Sequence, residues 1–110
     1  MSDDRRARIC ALNDQLRCNH IGGRIVLTPG VVDRGQAFLL TALDAIRRFD
    51  EFNEGCDPYG ERDFGAITIG SDRLFWKIDY YDQSLTSAAV DPAEETDCVR
   101  VMTVMLAAEY

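Results

Sequence analysis

Between Arg73 and Asp82 the chain alternates with a period of two. Leu74, Trp76, Ile78 and Tyr80 fall on one side, and Phe75, Lys77, Asp79 and Tyr81 on the other. Such alternation marks a strand whose two faces meet different surroundings, and the Trp76 side is the expected core face. Phe64 to Gly70 has the same character, and Ser71-Asp72 between the two runs predicts a hairpin. Val99 to Leu106 is β-branched and apolar on both sides, which predicts a central or well-covered strand. Arg24 to Thr28, stopped by Pro29-Gly30, predicts a short fourth strand.

Two helices complete the pattern. Residues 3–17 place Ile9, Leu12 and Leu16 at helical spacing, with Asp3 and Asp4 where the helix dipole favours acids. Asp33 followed by Gln36 predicts a capping box for a second helix, whose stripe Leu39, Leu43, Ile46 and Phe49 runs to about Phe52. The order α-β-α-β-β-β predicts an α+β fold: an antiparallel sheet of about four strands with two helices packed on one face. Leu39, Leu43, Ile46, Phe49, Trp76, Ile78, Val101 and Val104 are the expected core. A chain of 110 residues fits a single domain, 1–110.

No apolar run approaches the roughly 20 residues that span a bilayer, and Met1 to Arg6 shows no apolar leader, so a cytoplasmic location without membrane contact is expected. Cys10, Cys18, Cys56 and Cys98 form no C-x-x-C pair and His20 is the sole histidine, which predicts reduced thiols and no zinc. His20 itself reads as the end of the first helix. Nothing brings it to a cysteine, and no nucleophile-base pair or phosphate loop is visible.

Charge is more informative. The net value is −7, yet residues 1–35 carry six Arg against four Asp. Asp50, Glu51, Glu54, Asp57, Glu61 and Asp63 then follow with only Arg62 among them. Such a field repels nucleic acid and favours a basic partner surface, so direct nucleic-acid binding is not expected. Asp57, Glu61, Asp63, Asp79 and Asp82 are also oxygen donors for a hard cation, although their spacing is not that of a calcium loop. Asp57-Pro58-Tyr59-Gly60 reads equally as a turn in which Asp57 accepts backbone hydrogen bonds. Phe75 and Tyr81, on the side of the strand away from the core, require either a covering helix or a partner.

Several segments together resemble a domain-of-unknown-function family of short proteobacterial proteins carried on plasmids and prophages. They are Leu12-Asn13-Asp14 with Arg17, Gly23-Arg24, Leu27-Thr28-Pro29-Gly30, Phe49-Asp50 with Phe52, and Asp57-Pro58-Tyr59-Gly60-Glu61. Asp63-Phe64-Gly65, Trp76 to Asp82, Asp91-Pro92 and Met105 to Tyr110 complete the likeness. Arg62 and Cys56 depart from it, standing where the family commonly has His and Asn. The resemblance implies a setting in mobile elements but no activity. It joins the charge in suggesting a non-enzymatic, cofactor-free inhibitor, of anti-CRISPR or anti-restriction type, that occupies the nucleic-acid-binding groove of a defence complex. Asp50, Glu51, Glu54, Asp57, Tyr59, Glu61, Asp63, Phe75, Asp79, Tyr81 and Asp82 are the expected contacts. The alternative is a small metal-binding module or metal-dependent enzyme built on the acidic loop, and the oligomeric state is left open.

Overall fold

The computed structural model describes residues 3–53, 57 and 59–110. Helix α1 (Asp3–Asn19) leads through a left-handed His20 (φ 59°) into strand β1 (Gly23–Leu27). A short helix α2 (Pro29–Asp33) and helix α3 (Gln36–Arg48) follow. Strands β2 (Phe64–Ile69) and β3 (Asp72–Tyr81) form the expected hairpin, and β4 (Val99–Leu106) ends the sheet.

The fold is α+β, but the sheet is mixed rather than antiparallel. Its order is β1-β4-β3-β2, with β4 antiparallel to β3 and parallel to β1. The β2–β3 hairpin is dictated by a local turn. The partnership of Ile25 with Met102 closes a loop of most of the chain, and no local residue pattern announces its direction.

Helix α3 also begins later than its sequence suggests. Pro29 has the backbone angle of a first helical turn and starts α2 directly after Thr28, so Asp33 ends a helix instead of capping one. Gly35, at φ 93°, breaks the path and precedes α3 with no side-chain cap.

One apolar cluster unites the elements. Leu16 of α1, Val31 of α2, and Ala42 and Ile46 of α3 join Ile67, Leu74, Trp76, Ile78, Met102 and Val104. All six strand residues lie on one sheet face, and Phe49 and Phe52 meet Trp76 edge-on at 5.6 and 6.1 Å. Leu39, Leu43 and Phe49 are only partly buried against this cluster. Val101 lies on the opposite face, paired with Asp79, and Met102 takes the core position. A strand apolar on both sides does not reveal its register, and a one-residue slip exchanges the faces.

Cys10 and Cys18 are half-buried free thiols and Cys98 is a buried one; Cys56 lies outside the described residues. No helix among the described residues is long and apolar enough to cross a membrane.

Candidate functional site

The loop entering β2 is assembled around Asp57, which is 8% exposed. Its carboxylate accepts hydrogen bonds from the Glu61 amide at 2.9 Å and from the Arg62 amide at 3.0 and 3.1 Å. The Gly60 amide donates to the Asp57 carbonyl at 3.1 Å, and Gly60 and Arg62 both take left-handed backbone angles. The turn reading of Asp57 is therefore the one with contacts behind it. A carboxylate so occupied presents little to a partner.

Beneath the loop runs a polarised chain of side chains. Arg100, 2% exposed, donates from Nε to Asn13 Oδ1 at 2.8 Å. Asn13 Nδ2 donates to the Glu61 carbonyl at 2.9 Å and to the Tyr80 hydroxyl at 2.8 Å. The Tyr80 hydroxyl donates in turn to Glu61 Oε1 at 2.9 Å. Arg100 also stacks on the Tyr80 ring at 5.2 Å and donates to the Pro92 carbonyl. Burial pushes the Tyr80 phenol far above its ordinary value, with the Glu61 charge adding to the rise. A phenol held neutral in this way is a hydrogen-bond relay, not a nucleophile.

Arg17, 4% exposed, organises the other flank. One guanidinium nitrogen donates to the carbonyls of Ile46, Arg47 and Phe49 at 2.8, 3.1 and 3.0 Å, and the other to Asp14 at 2.9 Å. Its plane lies 5.4 Å from Phe52 and 5.6 Å from Trp76. Arg62 reaches the same Asp14 at 2.9 Å and approaches Phe52 at 5.5 Å. The one cation of the acidic loop is thus drawn back onto α1. Glu61 and Asp63 have no ion-pair partner among the described residues. Asp63 is pushed up to about 6, first by burial and then by the charges of Glu61 and Asp57.

The expected contact residues divide between two sides of the sheet. Glu61 and Asp63 are half-buried beside Tyr80 and Asn13, Tyr59 is 73% exposed, and Asp50 and Glu51 are exposed beyond α3. Glu54 lies outside the described residues. Phe75, Asp79 and Tyr81 share the opposite face, where Asp79 pairs with Lys77 at 3.2 Å. No described helix covers that face; the 107–109 turn brings only Tyr110 onto Phe64 and Phe75, at 6.1 and 5.4 Å. Asp82 serves a local turn, accepting from Ser84 Oγ at 2.7 Å and the Thr86 amide at 3.2 Å. Among the described residues no three His, Cys, Asp or Glu side chains converge as metal ligands would.

Sequence reasoning passed over Asn13, Arg17 and Arg100 as site residues, and over Glu109. The Glu109 carboxylate accepts from Thr28 Oγ1 at 2.6 Å, the Gly30 amide at 2.9 Å and the Leu106 amide at 3.0 Å. It therefore clasps the end of β4 to the start of α2. A polar residue inside an apolar helix stripe (Asn13, Arg17) was the available signal for the first two.

No curated protein and no solved structure shows significant similarity to the chain. A family profile described as a protein of unknown function does match, over residues 27–109, which leaves the Asn13 and Arg17 end of the network outside the matched span. The chain belongs to that family, DUF3768.

Proposed function

We propose that the protein is a non-enzymatic interaction module that presents the acidic loop side to a basic protein surface. The observation that carries this reading is the half-buried pair Glu61 and Asp63, which have no ion-pair partner among the described residues. Arg62 is committed to Asp14, while burial and the charges of Glu61 and Asp57 raise the cost of ionising Asp63. A partner arginine or lysine placed there relieves that cost, and exposed Tyr59 offers an aromatic anchor beside it. Asp50 and Glu51 extend the negative field along the segment after α3. A nucleic-acid-binding groove, lined by Lys and Arg, is one such basic surface, and the finer reading is an inhibitor that takes the place of nucleic acid in a defence complex. The rival metal-module reading has no converging ligand set behind it among the described residues.

The test is competition. The protein is mixed with a candidate DNA-binding effector complex, and target-DNA binding is followed by anisotropy as salt is varied. Inhibition is expected to slow as salt rises, and the Asp50→Lys/Glu51→Lys variant is expected to lose at least about tenfold in apparent affinity. Undiminished inhibition by a folded double variant removes the acidic side from the mechanism.

A further inference from the structure

The second face of the sheet is arranged in cross-strand rows that the pairing registers define. Lys77 sits beside Thr103 and Phe64, and one row along Asp79 sits beside Val101. Outside these, Phe75 pairs with Met105, and at the other end Tyr81 pairs with Val99. Phe75 and Tyr81 are each two residues from the central pair, on opposite sides. The rows therefore read, along β3, aromatic, cation, anion, aromatic.

We infer that this face is the contact surface for a second copy of the chain, related by a two-fold axis lying in the plane between the two sheets and crossing β3 near Ile78. The sequence of rows is complementary to its own reversal. Such an axis sets Lys77 over the partner copy's Asp79 and Asp79 over its Lys77. The same operation brings Phe75, with Tyr110 packed against it, opposite Tyr81, while Met105, 3% exposed, already lies beneath the surface. An isologous interface requires this self-complementarity.

Extent is consistent with the same occupant. Four strands about 4.8 Å apart, the longest ten residues, give a face of roughly 500 Å² in projection. Two such faces together bury roughly 1,000 Å², the size of a weak, reversible contact rather than of an obligate dimer. An open concavity of about 440 Å³ lies among Lys77, Asp79, Tyr81, Met105 and Tyr110. Lys77 and Asp79 keep 42% and 37% of their side-chain surface exposed in the single chain, so both remain accessible to a second copy.

Sedimentation of the full chain across a micromolar concentration series tests the inference without any other partner, so its result is independent of the proposed function. The wild type is expected to show a reversible monomer–dimer equilibrium. Lys77→Glu leaves two acids facing two acids across the axis, and Asp79→Lys leaves two bases facing two bases. Each variant alone is expected to weaken association by at least about tenfold. An equimolar mixture of the two is expected to restore the dimer, because the acidic pair of one then meets the basic pair of the other. Circular dichroism melts confirm that each variant is folded. A wild type that stays monomeric throughout, or single variants that dimerise as well as wild type, overturns the inference; so does a mixture that remains monomeric.

Discussion

Arg17 shows how much of this molecule hangs on single polar residues in apolar places. One guanidinium nitrogen donates to three carbonyls at the end of α3, those of Ile46, Arg47 and Phe49, of which Ile46 also accepts from the Phe49 amide. The same group lies over Phe52 and Trp76, joining the acidic loop's flank to the core. Arg17→Ala is expected to cost about 1–3 kcal/mol, because it takes a charged donor from buried carbonyls, of which that of Phe49 has no other partner among the described residues. Arg17→Lys should recover little, since a lysine lacks the planar fork. Chemical denaturation measures both, and a lysine variant as stable as wild type would refute the capping role. The sequence displayed Arg17 and Asn13 on the apolar side of a helix, but their partners lie far along the chain. Charge density, by contrast, is visible without the fold. That is why the acidic loop stood out as a candidate in the sequence and the network beneath it did not.

At the scale of elements, what could be read followed from local rules. The β2–β3 hairpin, the both-sides-apolar β4 and the stripe of α3 all rest on residues within a turn or a strand of one another. The parallel placement of β1 beside β4 and the register of β4 rest on long-range packing, and both departed from expectation. Gly65 is a further long-range constraint. A Cβ there would lie 2.5 Å from Trp76 Nε1, so β2 can cross the indole only as glycine. Gly65→Ala is expected to cost about 1–3 kcal/mol through displacement of the ring. Trp76→Ala, which empties a fully buried site, should cost about 3–5 kcal/mol. Trp76 fluorescence and thermal melts report on the first, and melts alone on the second. An alanine at position 65 that leaves both emission and melting unchanged would mean that the strand and the indole are not in contact.

For the whole molecule, the balance of carboxylates sets how stability depends on pH. Hydrogen bonds from Arg47, Ser84, Ala93 and Thr28, respectively, hold Asp44, Asp82, Asp91 and Glu109 below their ordinary values. Their contribution is present above the unfolded values near pH 4 and is lost as pH falls below them. Asp63 acts in the opposite direction. Its folded value of about 6 exceeds the ordinary 3.8, so its contribution is complete at low pH and is lost as pH rises through about 6. The two trends place the stability maximum near pH 4, with the decline running from there to about pH 6. Because Asp63 is half in solvent, the decline to pH 7 should be about 1 kcal/mol, or a few degrees in Tm. Asp63→Asn removes the ionisation and should flatten that decline, leaving the acid limb unchanged. Melting curves of both proteins from pH 4 to 8 decide the matter. Parallel curves between pH 4 and 6 would show that Asp63 ionises freely, and would remove the ionisation cost that a basic partner is expected to relieve.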